Sequence, residues 1–445
     1  MKRLLLIAPL ASDSLLGQGF YFRMPGLGLL KVAALTPPDW HVTITDEKVE
    51  RLDLDADADL VGITAMTATV QRGYELARHF RSRGCKVVMG GMHVSALPEE
   101  AREHCDSVVI GEAEGVWPGV LRDFERGALQ ATYRQGAALP PLAGLPRADW
   151  DLYRPKGYLP VHFVETSRGC PIGCDFCAVT SAFGGRLRHR PIDDVIAELK
   201  ALVPFKGLFV FKRAVFFVDD NIAGDRAYAR QLLERVAELR IRWFGQASIN
   251  IAKDPELLRR CQQSGCVGLF IGLETLSPET LAAVGKRVNR PQDYAEACRR
   301  IHDHGIGIDA SFVFGFDTDD EGVFDQTLEF VTRTRIEVAY FSILTPYPGT
   351  RFHRRMVEEG RLLSTDWSRY DGNHVVFRPA PFTAQRLQDG FDMALRELYR
   401  VPSILRRLWG TQANRSFFYS MNFGFRRSVQ RQQRARRRAT LSPPR

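Results

Sequence analysis

Short apolar runs separated by amphipathic stretches organise this chain. Arg3–Leu10 is a continuous apolar run suited to a strand buried on both faces of a parallel sheet. Gly28–Leu35 is helix-like and is stopped by Pro37-Pro38. Val42–Thr45 alternates and ends at Asp46. Asp59–Ala65 reads as a second buried strand, followed by a helical pattern over Val70–Arg83. Lys86–Met89 runs into Gly90-Gly91, and Ser107–Ile110 into Gly111-Glu112-Ala113-Glu114. Strands alternating with helices predict a Rossmann-like, doubly wound parallel sheet over residues 1–130. Ligands of such sheets bind outside the carboxyl ends of the strands. The loops Pro9–Met24, Thr64–Thr69, Gly90–Ser95 and Gly111–Gly115 are therefore the candidates.

Residues 131–157 are rich in Pro, Gly and Ala and read as a linker. Beyond it the alternation resumes with longer units. Strands are expected at Val161–Thr166, Ala214–Val218, Arg242–Ala247, Val267–Leu273, Ile308–Phe314 and Val338–Leu344. Helices are expected at Asp193–Leu202, Arg226–Leu239, Glu256–Gln263, Pro278–Val284, Tyr294–Asp303 and Phe324–Thr332. Six such units over 158–350 suggest a partial (βα)₆ barrel, with its site at the carboxyl ends of the strands. Residues 351–425 read as a helical extension. Phe391–Arg406 is its amphipathic helix, and Asp366-Trp367 with Tyr370 is a candidate cap over the barrel mouth.

Composition changes this picture little: 45% hydrophobic and 25% charged residues are ordinary for a globular α/β chain. The opening MKRLLLIAPLASDS has an apolar run at the low limit for a signal peptide and no clear cleavage site, and reads better as a first buried strand. No stretch approaches a membrane span, and eight cysteines without a disulfide-like framework fit a reducing cytoplasm. Charge is more telling. Of a net +9, residues 426–445 hold eight arginines and no acid, so the body is nearly neutral and no nucleic-acid partner is implied. The tail reads as solvated and disordered. The aromatic stretch Ser416–Phe425 ahead of it makes peripheral contact with an anionic membrane the competing reading.

The chemistry is carried by Cys170-Pro-Ile-Gly-Cys174-Asp-Phe-Cys177. Three thiolates at this spacing leave one iron of a cubane cluster without a protein ligand, and an open metal position is where chemistry occurs. A structural zinc needs a fourth ligand, and His162 and His189 stand at no zinc-finger spacing. The loop, with Phe176 before its last cysteine, resembles that of the radical S-adenosylmethionine (SAM) enzymes. The resemblance implies a [4Fe-4S] cluster on Cys170, Cys174 and Cys177. Its open iron would bind the amino and carboxylate groups of SAM, which one electron cleaves to a 5′-deoxyadenosyl radical. Thr64-Ala65-Met66, Gly90-Gly-Met-His-Val-Ser and Ile110-Gly-Glu-Ala-Glu resemble the cobalamin-binding domain ahead of many such barrels. That resemblance implies contacts from Thr64, Gly90, Gly91, His93 and Glu112. Pro9–Met24 has no histidine, so the lower face of a bound cobalamin would lack an imidazole from that loop.

By position in the same family, Asp219 or Asp220 would accept from the SAM ammonium, and Glu274 from its ribose or other polar groups. Ser248 and Asn250 would make further polar contacts, and the backbones at Phe314-Gly315 and Leu344–Pro346 would flank adenine. A helix cap is the structural alternative for each carboxylate. His302 and His304 fall at a helix end and read as structural, while Cys261, Cys266 and Cys298 read as buried apolar residues. Only Cys85 and Cys105 stand in the first domain, against the three cysteines of methylthiotransferases.

The resemblance implies methyl transfer to an unactivated carbon, with electrons from a flavodoxin or ferredoxin. Alternatives are an oxidative cyclisation on a tetrapyrrole, as in the anaerobic cyclase of chlorophyll synthesis, and a non-catalytic cobalamin or redox sensor. The substrate is expected to be a small molecule, a lipid such as a polycyclic isoprenoid or a tetrapyrrole.

Overall fold

The computed structural model describes residues 1–10, 23–153, 156–202 and 214–441, the last seven of these by backbone alone. The first domain is a six-stranded sheet, all parallel, in the order β2-β1-β3-β4-β5-β6. Its strands are β1 (Lys2–Ala8), β2 (Trp40–Asp46), β3 (Leu60–Thr64), β4 (Lys86–Gly90), β5 (Ser107–Ile110) and β6 (Thr132–Arg134). The helices α1 (Leu27–Ala34), α2 (Val70–Ser82), α3 (Met92–Ala96), α4 (Pro98–Arg102) and α5 (Trp117–Glu125) cover its faces. Both faces of β1 are buried: Leu5 and Ile7 enter one core, Leu4 and Leu6 the other. A continuous apolar run is what two-sided burial requires. The strand order reverses between β1 and β3, so a ligand crevice opens above those two strands. Because β6 pairs with β5, the first sheet reaches into the segment expected to be linker.

The second sheet is again all parallel, in the order β7-β10-β11-β12-β13-β14. These strands are β7 (His162–Val164), β10 (Ala214–Phe217), β11 (Arg242–Ala247), β12 (Cys266–Glu274), β13 (Gly307–Phe314) and β14 (Val338–Ile343). A short antiparallel pair, β8 (Ser167–Arg168) with β9 (Arg188–His189), lies between β7 and β10 in sequence. Helices α6 (Ala178–Phe183), α7 (Ile192–Leu202), α8 (Arg226–Ala237), α9 (Pro255–Gln263), α10 (Pro278–Ala283), α11 (Tyr294–Asp303) and α12 (Val323–Arg333) complete the partial barrel. Alternation along β13 shows how it is built: Ile308, Ala310, Phe312 and Phe314 join the outer core, leaving Gly307, Asp309, Ser311 and Val313 on the other face. Cys261, Cys266 and Cys298 are buried, as expected.

The carboxy-terminal extension corrects three expectations. The amphipathic stretch is split into α14 (Ala384–Leu398) and α15 (Val401–Leu408), following α13 (Arg351–Glu358). Pro402 lies in the first turn of α15, where a missing N–H costs nothing. The basic tail is not irregular: α16 runs from Arg415 to Leu441. Phe418, Met421, Phe425 and Val429 on its first half are buried in the barrel core. Trp367 lies against the first domain: its indole donates to both Glu100 oxygens at 3.1 Å, and its ring meets His93 edge-on at 5.2 Å. Among the described residues, no helix is long and apolar enough to cross a membrane.

Candidate active site

The cysteine loop begins where the chain leaves the β7 end of the barrel and is closed at its base by the β8–β9 pair. Asp219 and Asp220 follow β10 and hold this base. Asp219 accepts through Oδ1 from Thr166 N at 3.0 Å, Thr166 Oγ1 at 2.9 Å, Ser167 Oγ at 2.7 Å and Ser167 N. Asp220 Oδ2 accepts from Gly169 N at 2.8 Å. Gly169 sits at φ 96° against the Arg186 carbonyl, so no side chain fits there. Further along, Asp175 N donates to Val284 O at 3.1 Å and Phe352 N to Asp175 O at 3.0 Å. Arg351 Nε adds a bond to Asp175 Oδ1 at 2.7 Å. The loop is thus anchored at both ends and its middle.

All three cysteines are free, Cys174 buried and the other two partly so. Burial raises all three thiols, Cys174 up to about 12. The metal-free loop is therefore neutral near pH 7, and loading it with iron must release protons. No group of three or more His, Cys, Asp or Glu among the described residues is gathered to hold a metal ion. The donor set fits a cubane whose irons take one thiolate each, with no fourth protein ligand.

Beside the loop stands an ion pair that sequence reasoning half found. Glu274 ends β12 in a left-handed conformation, φ 68°, at a register shift against β13. Its carboxylate is bonded to Lys286 Nζ, both side chains about one-tenth exposed. A Cβ on Gly272 would collide with Glu274 Oε1 and stand 2.8 Å from Lys286 Nζ. Burial works against the Lys286 charge, but Glu274 and the Cys174 sulfur outweigh it and hold its pKa above the ordinary value. Lys286 was missed because one lysine twelve residues beyond a glutamate carries no local pattern, and Arg287 and Arg290 beside it make it read as part of a solvated basic turn.

The remaining candidates divide. Asp219 is fully buried; its Oδ1 takes donors from residues 166 and 167 and braces the loop, while its Oδ2 is buried without a partner among the described residues. Asp220 keeps Oδ1 outside any hydrogen bond among the described residues. Ser248 caps a 3₁₀ turn, Ile249–Lys253: its N donates to Asn221 Oδ1 at 3.1 Å and its Oγ accepts from Asn250 N at 3.4 Å. The Phe314 ring points away into the helix layer, 4.9 Å from Phe324 and 5.2 Å from Phe341. Phe176 stacks edge-on against Phe316 at 6.0 Å, placing an apolar wall at the loop's end.

In the first domain, Pro9–Met24 lies mostly outside the described residues. Thr64 ends β3. Gly90 has room for a Cβ, which would meet Val109 at 3.6 Å, whereas Gly91 sits at φ 103° with Ala65 O 2.7 Å from where its Cβ would be. The glycine pair thus serves the chain's own turn at Gly91. His93 is buried; its Nε2 lies 3.3 Å from Glu100 Oε1 and its Nδ1 has no partner. Burial opposes the Glu100 carboxylate, but donors on His93, Tyr74 and Trp367 outweigh it and lower its pKa. Glu112 is buried and paired with Arg168 and Arg188; Arg168 also binds Glu114 and Glu165, each at 2.8 Å. This network ties the loop after β5 to the base of the cysteine loop. With α3 packed on α6, it turns the carboxyl ends of the two sheets toward each other.

The radical SAM superfamily profile matches residues 164–331, and a B12 binding domain profile matches residues 15–121. The chain is 34% identical to a bacteriochlorophyllide d C-12(1)-methyltransferase of Chlorobaculum tepidum, covering 94% of this chain and 91% of that one. It is 28% identical to a hopanoid C-2 methylase of Rhodopseudomonas palustris, covering 76% of this chain and 64% of that one. Its fold is similar to that of the radical SAM methyltransferase TsrM from Kitasatospora setae. The TM-score there is 0.70 at 16% identity, over 99% of this chain and 100% of that one.

Proposed function

We propose, on the premise that this chain belongs to the radical SAM enzymes that carry a B12-binding domain, that it methylates an unactivated carbon of a polycyclic substrate. It is a radical SAM enzyme of the methyltransferase type, and its cofactors are a [4Fe-4S] cluster, SAM and cobalamin. The observation that carries the substrate reading is the pairing of relatives: tetrapyrrole and hopanoid methyltransferases both match most of this chain. When bound, these groups would supply the reducing electron, the hydrogen-atom acceptor and the methyl group.

The chain's own residues hold and enclose them. Cys170, Cys174 and Cys177 hold the cluster, and Asp219 and Asp220 fix the loop that carries them. Lys286, kept cationic beside Glu274, is the fitting partner for the carboxylate of SAM. Asp220 Oδ1 is the fitting acceptor for its ammonium. Phe176 and Phe316 exclude water on one side. In the first domain, Thr64, Gly91 and the Gly111–Gly115 loop line the corrinoid side, with His93 and Glu112 bracing it from behind.

A flavodoxin or ferredoxin is the fitting electron donor. Eight free cysteines support a cytoplasmic setting. Leu405, Trp409 and Phe423 are exposed near arginines of α15 and α16, which supports peripheral contact with an anionic membrane. The test is anaerobic reconstitution with SAM, cobalamin and reductant. Formation of 5′-deoxyadenosine with a methylated tetrapyrrole or isoprenoid is expected; 5′-deoxyadenosine with oxidised, unmethylated product would replace this reading with cyclisation.

A further inference from the structure

A cavity of about 270 Å³ lies inside the barrel, below the cysteine loop. Phe216, Phe244, Phe270, Phe417 and Met421 give it apolar walls, and α16 closes it through the last two. Three polar side chains in this lining lack what they need. Arg242, half-buried at the start of β11, makes no ion pair among the described residues, and burial alone lowers its pKa. Asn414 Nδ2 is buried without an acceptor. Asp309, 4% exposed and opposite Phe270 in the sheet register, has Oδ1 buried and unpartnered. Burial pushes the Asp309 carboxyl well above its usual range, so it stands as a neutral donor.

A guanidinium, an amide N–H and a carboxylic acid are all donors. An apolar cavity that buries an unmatched amide and an unmatched carboxyl beside a half-buried guanidinium with no ion pair is complementary to a carboxylate on an apolar body, because the two unmade buried bonds cost free energy until a ligand supplies a partner. We propose that this cavity seats the carboxylate-bearing arm of the substrate, an aromatic or polycyclic monoacid; this rests on the methyltransferase reading above. Phe270 lies four residues before Glu274 on β12. At the strand rise this puts the arm about 13 Å below the Glu274–Lys286 level. The reacting carbon is therefore at the far end of an elongated molecule from its carboxylate.

The test is anaerobic calorimetry on the full-length, reconstituted chain with 2-naphthoate and 2-naphthol as probes. Naphthoate is expected to bind at least about tenfold more tightly, the size of one charge-assisted bond. Arg242→Met should erase that preference and Arg242→Lys retain part of it. Asn414→Asp, which sets a like charge in the site, should weaken naphthoate alone. Asp309→Asn, still a donor, should leave the preference in place. Equal binding of the two probes by the unaltered chain, or a preference that survives Arg242→Met, overturns the inference. SAM cleavage is read in parallel. A chain that discriminates the probes but forms no 5′-deoxyadenosine fails only the earlier reading, and one that cleaves SAM without discriminating fails only this one.

Discussion

Both halves of this molecule are six-stranded parallel sheets, joined near their carboxyl ends by the Glu112–Arg168 pair, yet they use their conspicuous residues in opposite ways. In the barrel, the three cysteines are left free while carboxylates, backbone and an arginine hold the loop around them. In the first domain, Gly91, His93 and Glu112 are already engaged by the chain: a tight turn, a half-buried carboxylate at one ring nitrogen, and an interdomain ion network. The lesson is that thiols at a special spacing advertise a ligand, whereas charged or glycine residues at strand ends can as well advertise the scaffold that supports one.

The contrast breaks most sharply at Cys174. Cys174→Ala should abolish SAM cleavage and reduce iron content, read by product chromatography and iron assay, while corrinoid binding in the first domain persists. Next is Lys286→Met, which strands Glu274 as a buried charge and should destabilise the chain by about 3–5 kcal/mol in denaturant titration. Adding Glu274→Gln to it should restore stability but not SAM affinity. Glu112→Gln tests the bracing role and should cost about 2–3 kcal/mol. It should also speed proteolysis within residues 131–157, with cluster content unchanged. Gly91→Ala should cost about 1–3 kcal/mol through its left-handed backbone and lower cobalt retention, whereas Gly90→Ala should be nearly neutral.

A separate test concerns pH. Burial raises Asp319 to about 6, against the donors Gly315 N and Phe316 N. A folded value above the unfolded one favours the fold at low pH and is lost as pH rises from about 4 toward 6. Thermal unfolding of the metal-free chain should show that loss, and Asp319→Asn should remove it.

Much of this was legible in residue order. Runs such as Ser107–Ile110, Arg242–Ala247 and Tyr294–Asp303 emerge as elements with the expected ends. Burial on one or two faces writes itself into local periodicity, and the cysteine spacing needs only one short loop. Ser248 was harder: position at a strand end does not say which way a side chain turns, and its hydroxyl caps a 3₁₀ turn. The tail misled because arginine content predicts solvation, while the apolar stripe Phe418, Met421, Phe425 and Val429 finds a barrel to close.

Sequence by itself determined the two parallel sheets, their order and the three-cysteine loop, because each depends on patterns within a few dozen residues. Only the tertiary structure decided that Lys286 meets Glu274, that Glu112 joins Arg168, and that Arg242, Asp309 and Asn414 share one cavity. Those partners are 12, 56 and up to 172 positions apart, and no local preference of the chain records a contact made across folded layers.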